Sequence, residues 1–297
     1  MKLGKQSCKI FICLIIITTV IFNVSIIHAQ DHHNSLWELS SRKSQLYFLG
    51  SIHLLSEDDY PLDASIEDAY QKSDKLYFEI AMDSIAMFNV QQKMMMAGML
   101  QNQTLSDVLS DSTYQSLSKE LLKYNIQIAA LNGLKPWLVS TMLTMAKLNA
   151  LGIDPQYGID QYVFKKAKED GKKTGGMEFI DDQIKCFNAL DGGLEEAMLI
   201  ETIQSLDELE SEFFHLKKAW KTGQASVIDS VMNHHMNAYP DLKKILLDNR
   251  NERWMMKVEE MIRNREKALI VVGVGHLVGD GSLIDLLRKR GYKVRQR

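Results

Sequence analysis

Two histidines in matching contexts are the residues of this sequence best suited to chemistry. His53 ends the tetrapeptide GSIH, which follows the strand-like run Gln45–Leu49, and His276 ends GVGH, which follows the apolar run Ala268–Val272. Glycine after a strand lets the backbone turn tightly. Because open α/β sheets bind their ligands at the carboxyl ends of the strands, we expect both imidazoles at one edge of a sheet.

Two glutamates are expected near the same edge. Glu79 lies near the end of the strand-like run Lys75–Ile80, and Glu178 lies near the end of Lys173–Phe179. Two imidazoles and one or two carboxylates on rigid strands predict a divalent metal site, and mixed nitrogen and oxygen ligation suits Zn, Mn, Co or Fe(II). Such an ion activates water, with a spare carboxylate as general base. The alternative is that each histidine is a hydrogen-bonded structural residue, and the repeated G-x-x-H word is the argument against it.

Arg250 is a further candidate. It precedes an apolar-faced helix, where a guanidinium holds a carboxylate or a substrate through paired hydrogen bonds. A solvated charge on the helix surface is the alternative interpretation. Cys186, the single cysteine outside the N-terminal segment, lies among apolar residues of a predicted helix. We interpret it as a buried, unreactive thiol.

The N-terminal segment of about 29 residues is predicted to be a signal peptide. Three lysines precede the mostly apolar stretch Ile10–Ile27, and Ala29 ends a tolerable small-residue cleavage site. This order is typical of a secretory signal, so we predict cleavage after about Ala29 and a secreted or periplasmic protein. An uncleaved N-terminal anchor is the alternative, because the apolar stretch approaches the length of a short membrane span.

The composition is that of a globular protein. The chain has 297 residues, of which 45% are hydrophobic and 25% are charged, and this length is enough to bury a sizeable core. Its formal charge of −3 becomes more negative when the three N-terminal lysines are removed, so no nucleic-acid partner is predicted. No second apolar stretch is long enough to span a membrane, so no stable membrane span is expected after cleavage. The G-x-S-x-G, Walker A and H-E-x-x-H patterns are absent.

The two ends of the chain predict the same local structure. Each reads as a strand, a G-x-x-H word, a loop, a helix and a further strand, which is a βαβ unit with parallel strands. The simplest architecture is one α/β domain over residues 30–297, with a central sheet built from the N- and C-terminal βαβ units. The helical middle of the chain, about residues 82–260, would form a large cap over the strand ends.

A series of sequence words in a fixed order resembles a known family. These words are LWEL, FLGSIHLL with the following DYPL, FEI, LKPW, YGIDQYVFKKAKEDGKKTGGMEFIDDQI, RNERW and VVGVGHLVGDGSLIDLLRKRGYKV. Over about Leu36–Val294 they resemble the TraB/GumN family. This family is related to the Tiki-type metalloproteases and more distantly to erythromycin-esterase-like and ChaN-like proteins.

The resemblance implies a metal site and a class of reaction. It assigns His53, His276 and Glu79 to the metal, and Glu79, Glu178 and Arg250 to catalysis. It favours Mn or Co as the divalent ion, with Zn or Fe as alternatives. The implied substrate is a peptide, because Tiki-type members resemble metal-dependent proteases that act on extracellular peptide segments.

The sequence therefore predicts a secreted or periplasmic metal-dependent hydrolase, and more closely a Tiki-like peptidase. A small-molecule substrate cleaved by an esterase-like reaction fits the same site chemistry. The alternative from another class is a non-catalytic protein that binds and sequesters a peptide, haem or a metal ion. The pattern makes no prediction about oligomeric state.

Overall fold

Six strands form one mixed sheet. The computed structural model describes residues 34–41, 44–190, 192–236 and 240–297. The strands are β1 (Leu36–Ser40), β2 (Gln45–Ser51), β3 (Lys75–Phe78), β4 (Lys173–Gly176), β5 (Lys267–Gly273) and β6 (Val294–Gln296). Their order in the sheet is β4-β3-β5-β2-β1-β6. Strands β4, β3, β5 and β2 are parallel, whereas β1 is antiparallel to both β2 and β6.

Strand β5 is at the centre of this sheet, between β3 and β2. Its residues Ala268–Val272 are completely buried. A parallel strand that is covered on both faces needs a continuous apolar run, which is what the sequence supplies there. The C-terminal strand β5 therefore joins the N-terminal strands β2 and β3, as predicted, and the α/β fold class is confirmed.

Helices occupy most of the chain between β3 and β5. The helices are α1 (Ala64–Gln71), α2 (Ser84–Ala97), α3 (Leu105–Val108), α4 (Asp111–Leu122), α5 (Pro136–Ala150), α6 (Ile159–Glu169), α7 (Ile180–Asn188), α8 (Gly192–Ser205), α9 (Leu209–Lys221), α10 (Ala225–Met236), α11 (Pro240–Lys243), α12 (Asn249–Arg263) and α13 (Leu283–Lys289). A π-helical turn, Lys244–Asp248, joins α11 to α12. The organisation of these helices as a cap on a single domain stays a prediction.

Several element boundaries differ from those that the sequence predicts. The sequence predicts one helix that starts at Leu105 and reaches about Tyr124, but the structure has two, α3 and α4. Leu109 is extended, and the Ser110 side chain accepts a hydrogen bond from the Thr113 backbone as a new N-cap. The strand expected to reach Phe179 ends at Gly176. Capping chemistry within an apolar periodic stretch thus sets helix ends that the periodicity alone does not show.

One face of α12 packs into the core and holds this helix in place. Its buried residues, Asn251, Trp254, Met255, Val258 and Met261, recur at helical spacing, and its apolar members belong to the core cluster that contains β5. This packing fixes the first turn of α12 relative to the sheet.

None of the described helices has the length and apolar character needed to cross a membrane. The predicted signal peptide, residues 1–29, lies outside the described residues.

Candidate active site

The strand register brings the predicted site residues to one edge of the sheet. Phe78 of β3 pairs with Gly176 of β4, and Ser51 of β2 pairs with Gly273 of β5. Each pair lies at the carboxyl end of its strands. The residues that follow these ends include Glu79, Glu178, His53 and His276, which are therefore neighbours in space.

His53 and His276 both face Glu79. The Nε2 atom of each imidazole lies 3.9 Å from Oε1 of Glu79. The same oxygen accepts a hydrogen bond from the Gly273 backbone N–H at 2.9 Å. A Cβ at Gly273 would lie 3.1 Å from this oxygen and 3.5 Å from His53 Nε2. Glycine at this position therefore keeps open the space between the carboxylate and the imidazoles.

His276 is buried and firmly oriented. It ends a 3-10 turn, Val274–His276, directly after β5, and its side chain is 4% exposed. Its Nδ1 lies 2.7 Å from Oδ1 of Asn251, whose Nδ2 donates to the Gly281 carbonyl. This arrangement assigns the imidazole proton to Nδ1 and leaves a lone pair on Nε2. The ring packs on Trp254 with centroids 4.4 Å apart, and burial lowers the pKa of His276 to about 3.

His53 is oriented by Asp160, in the first turn of α6. Its Nδ1 lies 2.6 Å from Asp160 Oδ2, and the Ser51 hydroxyl donates to Asp160 Oδ1 at 3.0 Å. A Cβ at Gly158 would lie 2.3 Å from the His53 carbonyl oxygen, so glycine permits the close approach that brings α6 to this histidine. The charge of Asp160 raises the pKa of His53 to about 9. Solvent screens this attraction, because the His53 side chain is 59% exposed.

Arg250 bridges the two glutamates. Its Nη2 lies 2.5 Å from Glu79 Oε2 and 2.6 Å from Glu178 Oε1, and its Nε donates to the same Glu178 oxygen at 2.9 Å. Its Nη1 donates to His276 Nε2 at 3.1 Å and to the Leu246 carbonyl at 3.2 Å. Leu246 belongs to the π-helical turn before α12. Such turns are frequent at functional sites.

Burial and charge act in opposite directions on these groups. Burial alone would raise the pKa of Glu79, but Arg250, His276 and His53 hold it below its usual range. Burial would lower the pKa of Arg250, but Glu79 and Glu178 raise it. At neutral pH Glu79 and Arg250 are therefore both in their charged forms.

Glu178 is buried and accepts hydrogen bonds from the groups around it. Its side chain is only 4% exposed. Besides its two hydrogen bonds from Arg250, it accepts one from Trp254 Nε1 at 3.1 Å. This carboxylate is thus placed to hold Arg250 in position.

All five predicted site residues lie together at this edge. The sequence did not single out Asp160, Gln183 or Trp254, which orient or contact them. Gln183 Nε2 donates to Glu79 Oε2 at 3.2 Å. An acidic residue in the first turn of a helix is common, so nothing local to Asp160 showed that its carboxylate faces His53.

A cavity of about 280 Å³ opens beside His53 and Glu79. Its wall combines apolar side chains with two amides and the polar site residues. The lining residues are His53, Phe78, Glu79, Ile80, Met82, Pro155, Asp160, Gln161 and Gln183. This cavity offers space for a substrate next to His53 and Glu79.

The side chains at this edge fit a divalent ion by donor type. Two Nε2 atoms face one carboxylate oxygen, and each histidine has a partner on Nδ1, which is how metal-binding imidazoles are usually oriented. Their spacing is wider than that of a formed site, and within the described ranges no group of three His, Cys, Asp or Glu side chains meets the geometry of a metal centre. Arg250 also donates to the Nε2 lone pair of His276. Donor chemistry and orientation therefore fit, whereas the ion itself is a proposal.

The chain is an α/β protein with a polar site at the carboxyl edge of its sheet. Within that class it belongs to the TraB/PrgY/gumN family, whose model matches residues 35–296. The membership predicted from the sequence words is thereby confirmed.

The curated relatives include bacterial and animal proteins. The uncharacterized protein YbaP of Escherichia coli is 24% identical over 256 residues, which cover 82% of this chain and 87% of YbaP. Metalloprotease TIKI1 of Danio rerio is 22% identical over 320 residues, covering 89% of this chain and 63% of TIKI1. The metalloprotease TIKI homolog of Nematostella vectensis is 23% identical over 335 residues, covering 89% of this chain and 67% of the homolog. No solved structure matches the chain significantly.

Proposed function

We propose that this protein is a metal-dependent hydrolase, and more closely a peptidase, in which His53, His276 and Glu79 hold a divalent ion. Mn and Co are the ions proposed first, with Zn and Fe as alternatives. The observation that carries the proposal is the position of both Nε2 atoms 3.9 Å from the same Glu79 oxygen. The names of the animal relatives, metalloproteases TIKI1 and TIKI homolog, support the same class of reaction.

The polar groups of this chain prepare such a site in three ways. Asp160 and Asn251 hold the Nδ1 atoms, so that both Nε2 atoms are directed at Glu79. The lowered pKa of Glu79 keeps this carboxylate ionised, as a ligand or proton acceptor must be. When bound, a divalent ion would polarise a scissile carbonyl and lower the pKa of a water molecule.

Arg250 and Glu178 are given separate roles. The guanidinium of Arg250 lies next to both Glu79 and His276, and a developing oxyanion would replace one of these two acceptors of its N–H groups. Glu178 accepts from Arg250 and Trp254 and is almost completely buried. We therefore assign Glu178 to positioning Arg250 and keep Glu79 as the carboxylate that takes part in proton transfer.

The cavity beside the site suits a peptide segment. Phe78, Ile80 and Met82 provide an apolar wall, and the side-chain amides of Gln161 and Gln183 line the same space. Apolar side chains bury a substrate residue, while amides pair with peptide groups, the usual composition of a ligand site. The secreted or periplasmic location belongs to the same proposal, and fractionation of expressing cells with detection of the processed N-terminus tests it.

Metal content by mass spectrometry is the first test. The wild type is compared with His53→Ala/His276→Ala, and His215→Ala, which removes an exposed histidine of α9, is the control. We expect about one divalent ion per chain in the wild type and the control, and loss of the ion in the double variant. Retention of the ion by a folded double variant would exclude these two histidines as joint ligands.

A peptide-cleavage screen with the bound ion is the second test. A hydrolase gives cleaved product in excess of enzyme, identified by mass spectrometry, and both single variants His53→Ala and His276→Ala should be inactive. Stoichiometric capture of a peptide or haem without product would support the sequestering alternative instead. Retained turnover in either folded variant would contradict the proposal.

A further inference from the structure

Cations alternate with uncharged residues along the edge strand β6. Lys293, Arg295 and Arg297 occupy every second position, separated by Val294 and Gln296. Arg295 is the middle residue of β6, whereas Lys293 directly precedes the strand and Arg297 directly follows it. Lys293 and Arg295 are exposed, and Arg297 is half-buried.

These cations line a cavity of about 720 Å³. Arg288, in α13, and Lys72, which follows α1, contribute to the same wall. Glu38 of β1 is the one acidic side chain among the described lining residues. The cavity is therefore strongly basic, although the whole chain has a formal charge of −3.

The ion pairs within the wall leave positive charge uncompensated. Arg297 Nη1 and Arg295 Nη2 share the same Glu38 oxygen, at 3.2 and 3.7 Å. Arg288 donates to the Val294 carbonyl at 3.3 Å. Neither Arg288 nor Lys293 forms an ion pair with another residue in the described part of the chain. Of the five cations in the wall, Lys72 pairs with Asp68, which does not line the cavity, and among the described lining side chains the other four have only Glu38 as a counter-charge.

The basic cavity is separate from the candidate active site. The described lining residues of the two cavities do not overlap. In the sheet, β1 lies between β6 and β2, the strand that precedes His53. A ligand at the cavity therefore need not compete with a substrate at the histidines.

We propose that this cavity binds phosphate groups. The planar guanidinium donates two parallel hydrogen bonds to a phosphate, and three arginines border one space here. A phosphate has more acceptor oxygens and more negative charge than a carboxylate. It can therefore neutralise more of the cations around this space. The phosphate belongs either to a small soluble ligand or to a lipid headgroup, and the two sources bind through the same side chains.

Two binding measurements test this proposal and separate the sources. Inorganic pyrophosphate is titrated into the full chain by calorimetry, and the protein is co-sedimented with phosphatidylglycerol vesicles, with phosphatidylcholine vesicles as the neutral comparison. In Arg295→Gln/Arg297→Gln we expect at least about tenfold weaker binding, since two charge-assisted contacts are lost. The control Arg263→Gln/Arg265→Gln removes two exposed arginines outside the cavity and should bind like the wild type.

Each outcome of these two measurements either supports or contradicts binding of phosphate groups in the cavity. Binding of pyrophosphate indicates a soluble ligand, and binding only to anionic vesicles indicates a headgroup; either supports the proposal when the cavity variant alone is weakened. Lys293→Gln, which leaves the Glu38 ion pairs intact, should weaken binding too and covers any folding defect of the double variant. No binding of either probe, or equal losses in the control, would overturn the proposal. The charges would then only protect an edge strand from pairing with another chain.

Discussion

Asn251 Oδ1 accepts a hydrogen bond from His276 Nδ1 at 2.7 Å, and this contact fixes which nitrogen of the imidazole carries the proton. Asn251 is 1% exposed, and its own amide N–H₂ donates to a backbone carbonyl, so the amide cannot rotate freely. The orientation of His276 thus depends on a residue one position after Arg250.

Replacement of this amide is expected to weaken binding of a divalent ion. Asn251→Leu removes the acceptor but keeps the branched shape of the side chain, and loss of such a partner typically costs about 10- to 100-fold in metal affinity. Asn251→Asp keeps an acceptor oxygen and should lose less. The affinity is measured by competition with a chelator. Equal affinities in wild type and Asn251→Leu would mean that this contact does not prepare His276 as a ligand.

Gly273 provides a steric test of the space between the histidines. Gly273→Ala would place a methyl group 3.1 Å from Glu79 Oε1 and 3.5 Å from His53 Nε2. Because φ of Gly273 is −48°, alanine fits the backbone, and we expect a folded protein that has lost at least about tenfold in metal affinity.

Gly133→Ala is the matched control, because a Cβ there has nothing within 4 Å. It should leave both metal content and thermal stability close to the wild type. If Gly273→Ala bound the ion as tightly as Gly133→Ala, the ion would have to lie elsewhere.

The outcome at His53 and Asp160 illustrates how much of the site can be predicted from the sequence. A strand followed by a histidine is a local pattern, so His53, Glu79 and His276 could be placed at one sheet edge from their positions alone. Asp160 faces His53 from a helix more than one hundred residues later. Its contact depends on Gly158 and on the packing of α6, which no periodicity describes.

The helices near the site also include a feature that the sequence does not predict. The sequence predicted an apolar-faced helix directly after Arg250, whereas α12 begins at Asn249 and contains Arg250 in its first turn. The π-helical turn Lys244–Asp248 was not predicted, because it has the same composition as an α-helical turn. This turn contains Leu246, whose carbonyl accepts from Arg250, so part of the site geometry arises from a feature without a sequence signal.

The ion pair between Asp160 and His53 predicts a pH dependence. In ion-free protein the pKa of His53 is raised from 6.5 to about 9 by Asp160. This pair therefore stabilises the fold fully below about pH 6.5, and its contribution is lost as the pH rises through about 9. Asp160→Asn should move the pKa of His53 back towards 6.5, measured from its imidazole resonances by NMR. Asp154→Asn, which removes a nearby carboxylate bonded to the Gln156 backbone, should leave the His53 titration unchanged.

Binding of a divalent ion should depend on the loss of the same proton from His53. An ion needs the Nε2 lone pair, so the proton on His53 must leave before or during binding. The affinity of the wild type should therefore increase as the pH rises towards 9, and in Asp160→Asn the increase should occur at lower pH. Affinities that do not change with pH between 6 and 9 would contradict the assignment of His53 as a ligand.

Arg250 occupies the position of a counter-ion between Glu79 and Glu178, and it also donates to His276 Nε2. It therefore competes with a divalent ion for two of the proposed ligands. In Arg250→Gln both competing hydrogen bonds and one positive charge are lost, and we expect the affinity for the ion to increase by about tenfold. Turnover should nevertheless fall, because the donor for the oxyanion is missing.

Ion-free Arg250→Gln should also be less stable than the wild type. Two buried carboxylates would then lack their cation, and removal of one partner of a buried ion pair costs about 3–5 kcal/mol. Chemical denaturation with and without the ion measures both effects, since an ion that replaces the guanidinium should restore most of this loss. Arg253→Gln is the control, because Arg253 lies 3.7 Å from Glu178 but does not reach Glu79 or His276. Weaker ion binding in Arg250→Gln than in Arg253→Gln would show that the guanidinium supports the ion instead of competing with it.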